Sequence, residues 1–268
     1  INKIKKLILG YGAVQSAIYL HPDIRGDCEY YNDETCAYYF PGSRKCNHDI
    51  IITGWDDTYS RENFEIMPEH DGAYICVNSW GFYISYDDRN IGEFSAAYTL
   101  LEPADNYDRI YQSDLLGWTG SIGYSDPLAW FSNVYTADGD GSVKAAAFYA
   151  MQDHTWYDIW FVNDFTGVSD LNDRMLVRSG YIESMGYHTV DIGDLPIEDG
   201  EKFAVIVSIR SEGSLHPAAM EYKANDITGN VDISDGEGYM SPDGKQWTSM
   251  ETEAGGNACL KVFADLAP

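Results

Sequence analysis

The segments CNHDIIITGWDD (residues 46–57) and GAYICVNSWG (residues 72–81) decide how this chain is read. Residues 48–55 form a short, apolar, β-branched run that opens on His48 and stops at Asp56-Asp57. Residues 73–77 form a second strand-like run that ends at Asn78-Ser-Trp-Gly81. Consecutive strands that pair antiparallel bring the start of the first beside the end of the second, so His48 is expected next to Asn78. An imidazole whose Nδ1–H is held by a fixed amide oxygen presents Nε2 to take a proton from a nucleophile. That is the base-plus-orienter part of a Cys-His-Asn triad.

The pair NHDIIITGWDD and AYICVNSWG resembles the His and Asn segments of papain-like cysteine peptidases, in which a His opens a strand ending in Gly-aromatic-Asp and Asn-Ser-Trp-Gly follows. The resemblance implies His48 as general base, Asn78 as its orienter, and Trp80 as a shield that keeps water from the Asn–His hydrogen bond. It implies further that Asn47 and Asp49, the neighbours of the His, line the substrate cleft. The position after the His borders the pocket for the second residue before the scissile bond, and an acid there favours Lys or Arg by charge complementarity. No metal or organic cofactor is implied.

The chain also departs from that family's pattern. The family's nucleophilic Cys lies far upstream of the His, at a Cys-Trp helix start preceded by an oxyanion Gln, and nothing in this sequence matches either. The nucleophile is therefore expected outside this chain, on an N-terminal peptidase half that becomes its first partner. The family also continues Asn-Ser-Trp-Gly through a second Trp-Gly and a Gly-Tyr, whereas here Gly81 runs directly into Phe82-Tyr-Ile-Ser-Tyr-Asp87. Either that loop is short or residues are missing.

At 268 residues the chain has material for one large or two ordinary domains. It contains 43 acidic against 17 basic residues, a net charge of -26 that argues against nucleic acid or anionic membranes as partners. No run of eighteen apolar residues is present, so no transmembrane segment is expected. The opening INKIKKLILG lacks the length and cleavage site of a signal peptide and reads as an internal start. Few lysines with much Tyr, Trp, Gly and Asp suit a secreted or cell-surface bacterial protein. Cys28, Cys36 and Cys46 cluster before His48, where a local disulfide is expected if the protein is secreted. Cys76 and Cys259 fall in strand patterns and read as buried thiols, and no cysteine lies at a helix start that would activate it.

In chain order, residues 1–11 read as a short helix with Ile4, Leu7 and Ile8 on one face and Gly10 and Gly12 at its end, followed by a strand over 13–20. A Tyr-rich connection over 21–44 reads equally as cleft wall or as plain surface hairpin. His70 reads as solvated. Residues 82–87 should close this half, 96–101 add a further strand, and Glu102-Pro-Ala-Asp-Asn106 marks the boundary. Beyond it, strands at regular spacing with Asp-Gly and Gly-rich turns predict an all-β sandwich of jelly-roll type, with the nearly continuous apolar run 203–209 at its centre. Residues 239–250 read as a hairpin turning at Asp243-Gly244, and residues 258–264 as the last strand. Residues 105–220 resemble the lectin-like domain that follows papain-like domains in some anaerobic Gram-positive bacteria.

The expected fold class is α+β: a mostly β papain-like C-terminal half-domain over 1–104, then a lectin-like sandwich over 105–268. Asp138-Gly-Asp-Gly141 reads as a tight turn rather than a calcium loop. Trp118, Trp130, Trp156 and Trp160 are candidates for stacking on sugar rings or for core packing. His154, His188 and His216 show no metal-ligand spacing, and no metal site is assigned. The function this supports is a cysteine endopeptidase acting on protein or peptide substrates, with this chain inactive by itself. The alternative is an inactive peptidase-like surface protein that binds glycan or protein through the sandwich.

Overall fold

The computed structural model describes residues 2–24, 28–77, 81–89, 91, 95–96, 105–224, 228–235 and 237–267. The chain divides into two compact units, Ile1–Glu102 and Pro103–Pro268. In the first, helix α1 (Asn2–Tyr11) is followed by β1 (Val14–Ile18), β2 (Tyr31–Asn32), β3 (Ala37–Tyr38), β4 (His48–Asp56), β5 (Ala73–Val77), β6 (Gly81–Ser85) and β7 (Ser95–Ala96). Among the described residues these strands form one sheet in the order β2-β3-β6-β5-β4-β1-β7. All its pairings are antiparallel except β3 with β6.

The helix forms where the sequence predicts it. Its Ile4 and Ile8 are buried, with Leu7 packed beside them, against Val14 and Ile18 of β1 and Ile50 and Ile52 of β4. Gly12, at φ 88°, ends it by donating its backbone N–H to the Ile8 carbonyl at 2.7 Å. Lys5, its side chain mostly covered, pairs with Asp57, just past β4, and lies over the Trp55 and Tyr86 rings. Most of residues 96–101, expected as a strand, lies outside the described residues.

The second unit contains β8 (Arg109–Tyr111), β9 (Gly120–Ile122), β10 (Leu128–Thr136), β11 (Gly141–Ala150), β12 (Thr155–Val162), β13 (Met175–Ile182) and β14 (Gly186–Ile197). They are followed by β15 (Lys202–Ser211), β16 (Ala218–Tyr222), β17 (Gly238–Ser241), β18 (Thr248–Ser249), α2 (Met250–Ala254), β19 (Gly256–Ala258) and β20 (Leu260–Leu266). A six-stranded sheet, β13-β12-β15-β10-β17-β18, packs on a four-stranded one, β14-β11-β20-β8, and β19-β16-β9 forms a third, small sheet. One core joins them: Phe131, Ile159, Phe161, Phe203, Val205, Val207 and Ile209 meet Val143, Phe148, Val190, Leu260 and Val262.

Three expectations are corrected here. Residues 239–250 do contain a hairpin, with Gly244 at φ 69° in its turn. Its far end, however, becomes α2, because Ser249 Oγ caps the Thr252 N–H at 3.3 Å. Residues 258–264 are not one strand, since β19 pairs with β16 and β20 with β11 and β8, on either side of Cys259. The sequence reading missed β8 and β9, whose three-residue lengths carry too little alternation to detect.

Polar side chains tie the three sheets together inside this core. Buried Asn133 of β10 donates to the Leu260 and Ala258 carbonyls at 3.1 and 3.2 Å, and Tyr135 Oη donates to Leu260 O at 2.6 Å. Asn257 Nδ2 donates to Glu221 Oε2 at 2.9 Å, and the second Glu221 oxygen accepts the Leu116 N–H. Beside them the fully buried Asp114 carboxylate lies 3.0 Å from Lys261 Nζ, which donates to the Asp114 carbonyl and Gln112 Oε1. Burial pushes the Asp114 carboxyl above the usual range, and Lys261 opposes that rise.

Removing one partner of a buried ion pair strands the other charge in a medium that cannot solvate it. Lys261→Met is therefore expected to destabilise the unit by about 3–5 kcal/mol. Adding Asp114→Asn should restore part of that loss, with urea unfolding of the full chain as the measurement.

Candidate functional site

β4 and β5 carry the candidate site of the first unit. The Ile50-Ile-Ile52 run makes β4 a strand, and alternation sends Ile50 and Ile52 into the core while Ile51 faces solvent. His48, half-buried, starts the row that Ile50 and Ile52 continue, and pairs with Ile18 of β1. On the other side β5 runs antiparallel, with Ile51 opposite Val77 and Ile52 opposite Cys76. A bulge between Ile52 and Gly54 then shifts the register, so that Gly54 faces Ile75 and Trp55 faces Tyr74. The last described pair on this side thus lies three residues after His48 and one before Asn78. The β5–β6 hairpin closes with Val77 opposite Gly81. Asn78 and Trp80, together with Ser79, lie outside the described residues.

The two proposed cleft residues differ. Asn47 is bound to the backbone of Leu20 at both ends of its amide: Oδ1 accepts the Leu20 N–H at 2.8 Å and Nδ2 donates to the Leu20 carbonyl at 3.0 Å. It pins the entry of β4 to the end of β1. Asp49 is exposed and alternates to the side opposite His48, with Ile51 and Thr53. His70 is also exposed, with Nδ1 3.0 Å from Asp87 Oδ1, and this hydrogen bond raises its pKa.

All five cysteines are free thiols, so the expected disulfide among Cys28, Cys36 and Cys46 is not present. Burial pushes the Cys28, Cys76 and Cys259 thiols up, away from the thiolate a nucleophile needs.

In the second unit, the Asp138-Gly-Asp-Gly141 segment is a turn between β10 and β11. Asp138 accepts from Arg109 Nε and Tyr111 Oη, both at 2.8 Å, and Asp140 accepts the Asp199 N–H at 2.9 Å. Its carboxylates are thus engaged by the protein, and among the described residues no His/Cys/Asp/Glu group is arranged to hold a metal ion. His188 Nε2 donates to the Ser184 carbonyl, 2.8 Å away, and burial lowers its pKa.

The tryptophans divide. Trp130 and Trp160 stack at 4.4 Å beneath the Arg174 guanidinium, in a small cluster with Val134, Val162 and Ile206. Trp118 and Trp156 are exposed. Their difference follows from what packs above each ring, which the sequence neighbours do not show.

The family model described as "Lectin like domain" matches residues 110–264. The chain belongs to the lectin-like domain family. Two solved structures are similar over nearly the whole chain. One, of the cysteine protease and lectin-like domains of Cwp84, a surface layer associated protein of Clostridium difficile, has a TM-score of 0.79 at 22% identity and covers 98% of this chain. The other, the clostridial cysteine protease Cwp84 after propeptide cleavage, has a TM-score of 0.84 at 23% identity and covers 100% of this chain. The chain spans 61% of the first of those chains and 68% of the second. No curated protein matches this sequence.

Thiol accessibility tests the site's chemistry. Brief treatment of the native chain with iodoacetamide, read by peptide mass spectrometry, is expected to label the half-exposed Cys36 and Cys46 and to spare Cys76 and Cys259.

Proposed function

We propose that this chain is the C-terminal part of a papain-like cysteine endopeptidase: an α+β half-domain that carries the base and orienter, followed by its lectin-like domain. The observation that carries the reading is the β4–β5 ladder, whose Ile51–Val77 pair sets the start of the His48 strand beside the end of the strand leading to Asn78. The two structural neighbours, each described as a cysteine protease, support it. The surface-layer association in one of their descriptions supports a secreted or cell-surface location, and no described helix is long and apolar enough to cross a membrane.

In this reading the nucleophilic Cys comes from an N-terminal half outside this chain, in keeping with the raised Cys28, Cys76 and Cys259 thiols. His48 draws the proton from that thiol, the thiolate attacks the peptide carbonyl, and His48 returns the proton to the leaving amine. Water, deprotonated by His48, then hydrolyses the thioester. Asn78 holds the imidazole and Trp80 shields that bond. Ile51, Ile75 and Val77, exposed together on the sheet, are assigned to packing against the N-terminal half. Binding of glycan or protein through the sandwich, with the peptidase part inactive, is the second reading, favoured by the exposed aromatic surface described below.

In the full-length gene product, His48→Ala is expected to lower peptide hydrolysis by roughly 10²–10⁴-fold with the fold intact by circular dichroism. Unchanged turnover would remove His48 from the mechanism. A peptide-library profile is expected to favour Lys or Arg at the second residue before the cleaved bond and to lose that preference in Asp49→Ala. A wholly apolar preference would exclude Asp49 from that pocket.

A further inference from the structure

The outer face of the six-stranded sheet is built in cross-strand rows. Register places Tyr181, Trp156, Arg210 and Leu128 side by side on β13, β12, β15 and β10. Two residues further along, roughly 6.8 Å by strand geometry, comes the row Ser179, Asp158, Ser208 and Trp130. Beyond that the face is closed, because Trp160 and Ile206 lie in the cluster roofed by Arg174 and Trp247. The roof reaches the second row only at Trp130 and leaves the rest of these two rows uncovered. They form an open groove of about 370 Å³ lined by Leu128, Trp156, Asp158, Ser179, Ser208 and Arg210.

The groove is ordered before any ligand arrives. Trp156 is 58% exposed, and its ring packs on Tyr181 at 4.7 Å. Tyr181 Oη is hydrogen-bonded to His154 Nδ1, and His154 sits at φ 62°, a region few residues other than glycine occupy. Ser179 Oγ donates to Asp158 Oδ1 at 2.5 Å, and Arg210 pairs with Glu212 at 3.1 Å. An exposed aromatic plane thus stands beside a carboxylate, two hydroxyls and a guanidinium, of which the carboxylate, the Ser179 hydroxyl and the guanidinium are held by neighbours.

We propose that this groove is a binding site for a neutral pyranose sugar. The apolar face of the ring lies on Trp156, and its hydroxyls donate to Asp158 and accept from Arg210 and Ser208. An anion is disfavoured by Asp158 and the net charge of -26, and a cation by Arg210. A peptide strand gains no ladder here, because β12 is already paired on both sides. The proposal rests on the reading of the second unit as a glycan-binding module and is independent of peptidase activity.

The test is isothermal titration of the full chain with glucose, galactose, mannose, N-acetylglucosamine and cellobiose. Saturable binding of at least one sugar, insensitive to added salt, is expected. It should weaken about tenfold or more in Trp156→Ala and in the near-isosteric Asp158→Asn, and stay unchanged in Trp118→Ala. Binding that survives both groove substitutions would overturn this site while leaving the sandwich a glycan binder. No saturable response to any of these sugars would overturn the site and the glycan reading together, with the His48→Ala result unaffected.

Discussion

Burial of alternate residues along each strand is the constraint on which both units depend. β15 shows it most fully: Phe203, Val205, Val207 and Ile209 fill the space between the two large sheets, while Ala204 and Ile206 fill the smaller cluster on the other face. A strand covered on both faces reads as a continuous apolar run. At Ser208 and Arg210 the outer series turns polar, and the roof of Arg174 and Trp247 ends at the same point. The change in side-chain character along one face of one strand therefore marks where packing gives way to an open groove.

The same burial creates a polar problem that the protein meets internally in large part, the Asn133 and Asn257 amide oxygens excepted. Bringing three sheets onto one core encloses Asn133, Tyr135, Asp114, Glu221 and Asn257, whose polar atoms lose water. The bonds of Asn133 and Tyr135 cross between sheets, from β10 to the β19–β20 junction, while Asn257 of β19 bonds Glu221 of the neighbouring β16 within the small sheet. Cys259 sits at that junction, where the chain passes from one sheet to another in a single residue. The network fixes a crossing that apolar contacts alone would leave free to slip, since they have no direction.

In the first unit, the candidate catalytic chemistry depends on a hairpin rather than on a pocket. Asn47 clamps the entry of β4 to β1, and the bulge before Gly54 shifts the pairing with β5 beyond its first two pairs. On the His48 side of that bulge, Ile51 and Ile52 keep regular register with Val77 and Cys76. The buried thiols of this chain offer no competing nucleophile.

Local pattern was legible in the sequence. The helix that starts the chain follows from Ile4, Leu7 and Ile8 at helical spacing ahead of Gly12, and β1, β4, β5, β6 and β15 follow from β-branched runs between turn residues. The neighbouring placement of the His48 and Val77 strands followed from their being consecutive in the chain. Tertiary structure alone decided which sheet each strand joins, because pairings such as β11 with β20 span more than a hundred residues and leave no local periodic trace. It also decided that Cys28, Cys36 and Cys46 remain thiols, that residues 250–254 coil into a helix, and that Asn47 serves the backbone. Trp130 and Trp160 became core and Trp156 surface for the same reason. Exposure depends on what packs above a residue, and Arg174 and Trp247 arrive there from distant parts of the chain.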